Sequence, residues 1–423
     1  MLLSFHEVNE YLESRRTLGI KPGLERLDYL LAKTDHPERK IKTIHLAGTN
    51  GKGSTLTFIQ EVLIANGYRV GSFVSPGFPT VRDHILWNHK PISEKVFLEL
   101  LNQLVPTIEE MDQKDMAPTE YEILMVICLL FFINRVDIAL IETGMGGKED
   151  ITNRVIPILT IITSISFDHT AFLGGNTLAS IASHKAGIIK KNTPVILGRL
   201  PEEAHQVVID KAKQERAPMY ILGGADFNIH DSHSDWEHQS FLFQYKQIKW
   251  LIEITMQGIH QMENAANAMM AIECLKEQGW TINEESVRNG MKHARISNRM
   301  EVVAKNPITI VDGAHNMASI KALRRTIEVL YPNKKVYLLF SAFRDKEVNE
   351  MLKYLDEMAT RLVVTSFEHS RALKSKDLYA EWDYIPNAKK AYEVVKNTIQ
   401  KGDLLLITGS LHFVEQMKRI IKQ

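Results

Sequence analysis

The sequence predicts two α/β domains in succession, the first larger than the second, each built on a mostly parallel sheet. Its length of 423 residues is too great for one ordinary hydrophobic core. From about residue 40, short β-rich runs alternate with longer helical patterns, which indicates parallel strands joined by helices. A second series of the same kind begins near Glu301. We therefore predict one domain over residues 1–295 and another over residues 296–423.

The first series predicts an N-terminal helix, five strands and two further helices. The opening residues, "MLLSFHEVNEYLESRR", have an acidic, helical pattern, and a second helix is predicted from Ser54 to Asn66, ended by Gly67. The apolar run over 123–133 predicts a buried helix, because crossing a bilayer takes about 20 residues. The predicted strands are IKTIHLAG (41–48), YRVGSFVSP (68–76), VDIALIETG (136–144), LTIITSIS (159–166) and TPVILG (193–198).

The remaining chain predicts a small appendage and then the second domain. Residues 226–256 are rich in aromatics and alternate in polarity, which indicates a small antiparallel sheet. The stretch "ARISNRM", Ala294 to Met300, is a candidate hinge. The second series comprises the strands PITIVDG (307–313), KKVYLLFSA (334–342), TRLVVTSF (360–367) and DLLLITGS (403–410), with helices predicted in MASIKALRRTIEVLY (317–331) and KEVNEMLKYLDEMA (346–359).

The composition excludes several classes of protein. Lys+Arg and Asp+Glu number 51 each, which argues against a nucleic-acid partner, since such domains usually carry a basic excess. Two cysteines, Cys128 and Cys274, provide neither a disulfide framework nor a cysteine-based zinc site, and we expect both to be buried and inert. The N-terminal pattern is not that of a signal peptide, so we expect a cytoplasmic protein without membrane partners.

The stretch "HLAGTNGKGSTLT", His45 to Thr57, predicts a phosphate-binding loop with altered spacing. A strand runs into a Gly-rich turn and then into a helix, so backbone N–H groups and the helix N-terminus can face an anion. Lys52 can reach the β- and γ-phosphates, and Ser54 or Thr55 offers a hydroxyl for Mg²⁺. The general pattern has Ser or Thr directly after Gly-Lys, whereas Gly53 stands there here. The alternative is a β–α turn with an incidental lysine.

Polar residues also follow the next three strands of the first series. Ser75, Glu142 and His169 stand at or just beyond these strands, as Lys52 does after the first. Ligands of open parallel sheets bind beyond the carboxyl ends of the strands. A hydroxyl, a carboxylate and an imidazole are plausible ligands of one Mg²⁺ beside a nucleotide. The "GMGG" turn after Glu142 would let the backbone approach that ligand.

Three further residues stay ambiguous on pattern alone. Lys185, in "ASIASHKAGIIKK", fits a surface lysine on a helix. Asp312 and His315, in "VDGAHN", follow the first strand of the second series. They could bind a ligand or cap the next helix, and composition does not decide between these roles.

Together these stretches resemble the folylpolyglutamate synthase/dihydrofolate synthase family of the Mur ligase superfamily. The blocks run in order over almost the whole chain, and about ten such matches with compatible spacing are a specific signal. They are GIKPGLERL (19–27), GTNGKGS (48–54), Ser75-Pro76, ETGMGG with Asp150-x-Thr152-Asn153, DHTAFLG (168–174), HKAGIIK (184–190), HQMENAANA (260–268), NRME (298–301), DGAHN (312–316) and ITGSLHF (407–413).

The resemblance implies an N-terminal P-loop ATPase domain with a mostly parallel sheet, followed by a smaller C-terminal Rossmann-like domain. It also implies an ATP-dependent ligase in which ATP phosphorylates a folate-type carboxylate and L-glutamate attacks the acyl phosphate. A carboxylate is a poor electrophile, so phosphorylation supplies the leaving group. The site must then screen negative charge and exclude water, for which we expect a closing cleft between the domains. The implied partners are L-glutamate and dihydropteroate or reduced folates, and we expect a monomer.

Residue roles are carried over by matching positions. Lys52, Lys185 and His315 would act in catalysis, with Lys185 as a carbamylated lysine beside a second Mg²⁺. The first Mg²⁺ would bind Ser75, Glu142 and His169. The nucleotide would contact Thr49, Asn50, Gly51, Lys52, Gly53, Ser54, Asn264, Arg299 and Asp312. The substrates would contact Lys21, Pro22, Tyr121, Glu122, Asp150 and Ser410.

Three positions depart from the family pattern. "GFPTVRDHI", Gly77 to Ile85, replaces a His-Leu pair and an "ERI"-like ending, which leaves the folate contacts of this loop open. Ser297-Asn298 replaces Pro-Gly before Arg299, and Lys148 replaces an Arg.

Three other functions compete with the ligase. A Mur-type ligase could act on another carboxylate, although the Lys-Gly-Ser loop and "IKPGLER" favour folate. A phosphate-binding regulator without catalysis would not need to retain Lys52, Glu142, His169, Lys185 and Asp312. A simple kinase or ATPase would not explain the second domain.

Overall fold

The computed structural model describes residues 2–168, 177–235, 238–379 and 382–422. The chain divides into two compact units. One comprises residues 1–230, 242–252 and 263–294, and the other comprises residues 231–241, 253–262 and 295–423. Across the described ranges, no helix combines the length and the apolar content that crossing a membrane requires.

The chain before residue 295 begins with two helices and then mixes strands with helices. Its elements are α1 (Phe5–Arg16), α2 (Glu25–Lys33), β1 (Thr43–Ala47), α3 (Lys52–Ala65), β2 (Val70–Phe73), β3 (Ile85–Trp87), β4 (Lys90–Pro91), α4 (Glu94–Gln113), α5 (Glu120–Phe132), β5 (Ile138–Glu142), β6 (Pro157–Ile162), α6 (Leu178–Ala186), β7 (Val195–Leu197), α7 (Glu202–Gln214), β8 (Met219–Ile221), β9 (Phe227–Ser234), β10 (Gln239–Tyr245), β11 (Ile248–Ile254), α8 (Ile259–Glu277) and α9 (Glu284–His293).

The elements after residue 295 form the second series. They are β12 (Glu301–Lys305), β13 (Ile308–Asp312), α10 (Met317–Leu330), β14 (Val336–Phe340), α11 (Val348–Asp356), β15 (Ala359–Thr365), β16 (Tyr384–Ile385), α12 (Ala388–Lys396), β17 (Leu404–Thr408) and α13 (Leu411–Lys422).

An eight-stranded sheet forms the centre of the first unit, in the order β4-β3-β2-β5-β1-β6-β7-β8. Neighbouring strands from β2 to β8 run parallel, and β3 and β4 add an antiparallel edge. Every residue of β1 and β5 is buried, because helices cover both faces of a parallel sheet. Side chains of α1, α2, α4 and α5 pack in one core, and those of α6 and α7 in another. The predicted mostly parallel sheet is confirmed.

Helix α5 contains the apolar run for which the sequence predicts burial. Thr119 caps its N-terminus, and Glu122 closes a capping box by accepting from the Thr119 backbone N–H. The helix is buried along nearly all of its length, and Cys128 within it is a free buried thiol, as is Cys274 in α8. The predicted burial of this run and of both thiols is confirmed.

The three-stranded sheet of β9, β10 and β11 matches the appendage predicted over residues 226–256. Its order is β11-β10-β9, so strands adjacent in the chain are also neighbours in the sheet. Burial alternates along β10, as in a sheet with one covered face.

A six-stranded sheet forms the centre of the second unit, in the order β12-β13-β17-β14-β15-β16. All neighbouring strands are parallel except β12 and β13. Residues of α10 and α11 pack on one face, and residues of α12 and α13 on the other. The mixed α/β class predicted for both halves of the chain is therefore correct.

The predicted start of α3 is wrong by a small margin. The helix begins at Lys52 instead of Ser54, because Gly51 adopts φ 88° and forms its N-cap. Lys52 is therefore the first residue of the helix, and its side chain projects from the first turn.

Candidate active site

Hydrogen bonds anchor the loop between β1 and α3 to the residues that follow the neighbouring strand β6. The Thr49 N–H donates to the Ser164 carbonyl at 2.8 Å, and the Thr49 hydroxyl donates to the Ser166 carbonyl at 3.1 Å. The Asn50 carbonyl accepts from the hydroxyls of Thr163 at 2.6 Å and Ser164 at 2.9 Å. Sequence reasoning missed these anchors, although the hydroxyl-rich "TSIS", residues 163–166, was a signal for them; it was predicted as the end of the fourth strand, whereas β6 ends at Ile162.

Gly51 lies at a point of close approach between the loop and α8. A Cβ on Gly51 would lie 2.3 Å from Asn264 Oδ1, and its φ of 88° disfavours any L side chain. Asn264 is buried next to Gly51, so the structure brings this residue and the predicted phosphate-binding loop together. Beyond Gly51, the first N–H groups of α3 have no acceptor within the helix, as at every helix start.

Lys52 connects the loop to the end of β5. Its Nζ donates to the Gly48 carbonyl at 3.0 Å and lies 3.8 Å from Glu142 Oε1. Both side chains are largely buried. Glu142 pairs with Leu46 across β5 and β1, so the parallel register itself brings this carboxylate to the loop.

Lys185 is buried, with 4% of its surface exposed, so the surface position that its helical pattern favours is wrong. Burial lowers the pKa of Lys185 to about 7, and the charge of Lys52 lowers it further, whereas Asp168 and Asp150 act in the opposite direction. A substantial fraction of this amine is therefore neutral near pH 7.

The burial of Lys185 follows from close packing between α6 and the "GMGG" turn after β5. A Cβ on Gly147 would lie 2.6 Å from the His184 carbonyl oxygen. The Lys148 N–H donates to that same carbonyl at 2.7 Å, and His184 Nδ1 lies 2.7 Å from Glu149 Oε2. The absent side chain at Gly147 allows the turn and the helix backbone to touch.

Asp150 is buried at the end of the same turn. Its Oδ2 accepts from the Met145 N–H at 2.7 Å, and its Oδ1 accepts from both the N–H and the hydroxyl of Thr152, at 3.0 and 2.5 Å. Burial raises the pKa of Asp150, and these hydrogen bonds lower it. Asp150 therefore shapes the turn, besides its predicted role in substrate binding.

Ser75 and Tyr121 lie on the β2 side of Glu142. Ser75 follows β2, and the Ser75-Pro76 peptide bond is cis. The Tyr121 hydroxyl is buried, and a Cβ on Gly144 would lie 3.0 Å from it. Burial raises the pKa of Tyr121 well above its usual value, the charges of Asp150 and Glu142 add to that rise, and the Ser75 side chain acts in the opposite direction.

Lys21, Pro22 and Glu122 are brought together by Arg26. Arg26 Nη2 donates to the Lys21 carbonyl at 2.9 Å and to the Pro22 carbonyl at 3.3 Å, while Arg26 Nε donates to Glu122 Oε1 at 3.1 Å. Glu122 also accepts from Thr119 in the capping box. The observed contacts of Glu122 are thus structural ones.

The divergent loop from Gly77 to Ile85 uses its own polar groups to fold. His84 Nδ1 lies 2.7 Å from the Val74 carbonyl, and its Nε2 accepts from the Gly77 N–H at 3.3 Å. Burial lowers the pKa of His84. Asp83 accepts from the N–H and the hydroxyl of Thr80. Asp83 and His84 therefore both stabilise the loop.

In the second unit, Asp312 and Ser410 lie at the carboxyl ends of the neighbouring strands β13 and β17. Asp312 accepts from the N–H groups of Met300 and Ala314 at 2.9 and 2.8 Å. Burial raises the pKa of Asp312, whereas the charge of Arg299 lowers it. Asn316 caps α10, so Asp312 and His315 do not serve as its N-cap.

In the first unit, the oxygen donors at the ends of β2 and β5 fit a hard cation such as Mg²⁺. Ser75 supplies a hydroxyl and Glu142 a carboxylate, and the buried Thr55 hydroxyl has no partner among the described residues. His169 lies outside the described residues. Within the described ranges, no group of three or more His, Cys, Asp or Glu side chains is arranged to hold a metal.

Comparison with known proteins identifies the family. Residues 46–272 match the Mur ligase middle domain, and residues 298–411 match the Mur ligase glutamate ligase domain. The chain is 37% identical to a dihydrofolate synthase/folylpolyglutamate synthase of Bacillus subtilis, with 100% of both chains covered. It is 28% identical to a folylpolyglutamate synthase of Lacticaseibacillus casei over 82% of each.

Solved structures agree with the sequence relatives. A folylpolyglutamate synthase from Thermotoga maritima aligns with a TM-score of 0.83 and 29% identity, covering 99% of this chain and 97% of that one. A Mycobacterium tuberculosis folylpolyglutamate synthase complexed with ADP and AMPPCP aligns with a TM-score of 0.90 and 25% identity, covering 99% and 98%. The chain therefore belongs to the dihydrofolate synthase/folylpolyglutamate synthase family of Mur ligases.

Proposed function

We propose that this protein is an ATP-dependent ligase that adds L-glutamate to a folate-type carboxylate through an acyl phosphate. The observation that carries the proposal concerns Lys52, which follows a Gly-rich loop anchored by hydrogen bonds. Lys52 lies 3.8 Å from Glu142, and its charge acts on the buried amine of Lys185. Transfer of a phosphoryl group to a carboxylate requires a phosphate-binding loop and an oxygen ligand for a cation. The lysine of lowered pKa adds a nucleophilic amine to this site.

The reaction runs in two balanced steps. A carboxylate oxygen of the folate-type substrate attacks the γ-phosphorus of ATP, and ADP leaves. The amine of glutamate then attacks the acyl carbon, phosphate leaves, and the nitrogen loses a proton. Bound Mg²⁺ supplies charge neutralisation for the phosphate oxygens. Lys52 stabilises the charge that develops on the transferred phosphoryl group.

The residue assignments divide by ligand. Two Mg²⁺ ions are assigned: Ser75, Glu142 and His169 would hold one, and Lys185 would lie beside the other. The nucleotide binds Thr49, Asn50, Gly51, Lys52, Gly53, Ser54, Asn264, Arg299 and Asp312. His315 and Ser410 serve the glutamate and acyl-phosphate end, and the folate-type substrate meets Lys21, Pro22, Tyr121, Glu122 and Asp150.

Lys185 is assigned as a carbamylated lysine. Its neutral amine attacks CO₂, forming an N–C bond and releasing a proton, which leaves an anionic carbamate. A pKa of about 7 supports this assignment, because only the neutral amine is nucleophilic. The new carboxylate then offers oxygen ligands to a divalent cation.

The two halves of the chain form two domains in this proposal. Residues 1–295 form the ATP-binding domain, and residues 296–423 form the domain that binds glutamate and that also supplies Arg299 and Asp312 to the nucleotide. The protein acts as a cytoplasmic monomer on small molecules.

One assay tests the function. Phosphate release with ATP and Mg²⁺ is expected to require glutamate together with dihydropteroate or a reduced folate. Omission of glutamate, and separately of the folate-type substrate, provides the controls. Release that needs neither would reject the ligase. Activity with reduced folate alone would restrict the enzyme to polyglutamate synthesis, and activity with both would establish the two activities.

A further inference from the structure

A buried chain of hydrogen bonds runs from strand β1 to Asp150. His45 Nε2 lies 2.8 Å from the Thr152 hydroxyl oxygen, and that hydroxyl lies 2.5 Å from Asp150 Oδ1. The carboxylate can only accept, so the Thr152 hydroxyl donates to it. The same oxygen then accepts from His45, which places the ring proton on Nε2.

His45 is a fixed neutral donor in this chain. It lies on the central strand of the sheet and has no exposed surface. Burial lowers the pKa of His45 to about 3, and the charge of Lys190 contributes. Its Nδ1 has no hydrogen-bond partner in the part of the chain that the structure describes. Among the described residues, Thr152 is thus the hydrogen-bond partner of the ring.

Asp150 extends this series of hydrogen bonds to the "GMGG" turn, residues 144–147. Its second oxygen accepts from the Met145 N–H, and its own N–H donates to the Gly147 carbonyl at 3.1 Å. Asp150 thereby contacts the turn at two points, with its carboxylate at Met145 and with its backbone N–H at Gly147, and the turn packs on the α6 backbone at His184 and Lys185.

Asp150 also acts electrostatically on the groups of the site. Its negative charge raises the pKa of Lys185, and the positive charge of Lys52 lowers the pKa of Asp150. It also raises the pKa of Tyr121. A buried carboxylate in this position remains an anion only if donors compensate for the lost water. Thr152 supplies two of those donors, and His45 orients the hydroxyl that provides one.

We propose that His45 and Thr152 are positioning residues, which orient the Asp150 carboxylate and through it hold the GMGG turn against the lysine-bearing helix. This inference rests on the proposed function, since it concerns the same site. Neither residue needs to touch a substrate. Their effect passes through Asp150, as an outer partner orients a ligating carboxylate.

Replacement of Thr152 tests the proposal. Thr152→Val keeps the shape but removes the hydroxyl, so kcat/KM for the folate-type substrate is expected to fall about 10- to 100-fold. The KM for glutamate is expected to stay within about twofold, because the change removes no contact assigned to glutamate. Thr152→Ser keeps the hydroxyl and is expected to restore most of the activity.

Thr160→Val provides a matched control. Thr160 is also fully buried on the first-unit sheet, and its hydroxyl donates to the Pro194 carbonyl at 3.2 Å, away from the GMGG turn. This variant is expected to lose a similar amount of stability and no activity. If Thr152→Val and Thr160→Val had the same kinetics, or if serine failed to rescue, the positioning role would be rejected. Should Thr152→Val not fold, Thr152→Cys would replace it, and wild-type kinetics in that variant would also reject the proposal.

A second measurement separates this inference from the proposed function. Amide hydrogen exchange at Met145 in the ligand-free protein is expected to accelerate about tenfold or more in Thr152→Val, because the Asp150 acceptor is no longer fixed. This readout does not depend on ligase activity. If exchange at Met145 were unchanged in Thr152→Val, the positioning role of Thr152 would be rejected. If the wild-type protein had no ligase activity, only the proposed function would be rejected.

Discussion

Lys52 joins three parts of the site through one side chain. It begins α3, donates to its own loop at Gly48, and lies 3.8 Å from Glu142. A bound phosphoryl group would replace these weak internal contacts with charge-assisted ones. We therefore expect phosphoryl transfer to depend on Lys52 more strongly than the stability of the fold does.

Lys52→Ala is expected to lower turnover at least about 1,000-fold while leaving the circular dichroism spectrum unchanged. The physical reason is the loss of a preorganised cation where phosphoryl charge develops. Phosphate release measures the effect. Lys33→Ala is the control, because Lys33 pairs with Glu110 on the surface and is expected to retain full activity. Retained turnover in Lys52→Ala would remove the assignment of the loop.

Lys185 leads to a prediction about CO₂. In CO₂-depleted buffer the enzyme is expected to lose activity, and bicarbonate is expected to restore it. At a constant concentration of dissolved CO₂, restoration should be faster at higher pH, because the neutral fraction of an amine with a pKa of about 7 grows as the pH rises through that value. Labelling with ¹³C-bicarbonate should give a carbamate signal in NMR that Lys185→Met lacks. Activity that is independent of CO₂ would contradict the modification.

The case of Lys185 also shows what local pattern omits. Its helix has an ordinary sequence, and its burial depends on contact with a turn that is remote in the chain and free of side chains at Gly147. No helical periodicity contains that information, whereas the family resemblance singled out the residue. Conversely, Glu142 could be predicted from its strand end, because the parallel register brings it to the loop.

At the scale of elements, the GMGG turn and α6 form one rigid contact. Gly147→Ala would place a Cβ 2.6 Å from the His184 carbonyl oxygen, which is backbone and cannot rotate away. We expect a loss of stability of about 1–3 kcal/mol and a fall in activity, because α6 carries Lys185. Urea unfolding and phosphate release measure the two effects.

Gly224→Ala is the matched control for that change. Its new Cβ would approach the Ile221 carbonyl only to 3.3 Å, so a small adjustment accommodates it. Near-wild-type stability and activity are expected there. Equal behaviour of the two variants would show that close approach at Gly147 does not constrain the helix.

The long buried strands were predictable, and the short edge strands were not. Strands such as β1, β5, β14 and β17 are apolar runs buried on both faces, which gives a strong local signal. The short strands β3, β4 and β16, which lie at a sheet edge or next to one, contain two or three residues, too few for a period. The sheet order also requires contacts between distant segments, so the pattern along the chain could not provide it.

For the whole molecule, buried bases make stability depend on pH in two windows. His45 has a pKa of about 3 in the folded protein and about 6.5 when unfolded, so the unfolded chain binds more protons between these values. Lys185 behaves likewise between about 7 and its unfolded value of about 10.4. In both windows the free energy of unfolding should rise with pH, and it should fall as the solution is acidified.

Each group contributes a slope of about 1.4 kcal/mol per pH unit within its own window. Urea unfolding between about pH 5 and 6 should therefore show a shallower pH dependence for His45→Gln than for the wild type. Lys185→Met should reduce the slope between about pH 8 and 9, in CO₂-free buffer, and leave the acidic window unchanged. His6→Gln, at a side chain that is 82% exposed, is the surface control for the substitution. The comparison uses slopes, so a change in absolute stability at His45 does not disturb it. If the curves for His45→Gln and the wild type were parallel, the imidazole would take up its proton in the folded state as readily as in water. That result would contradict the expected effect of its complete burial on β1.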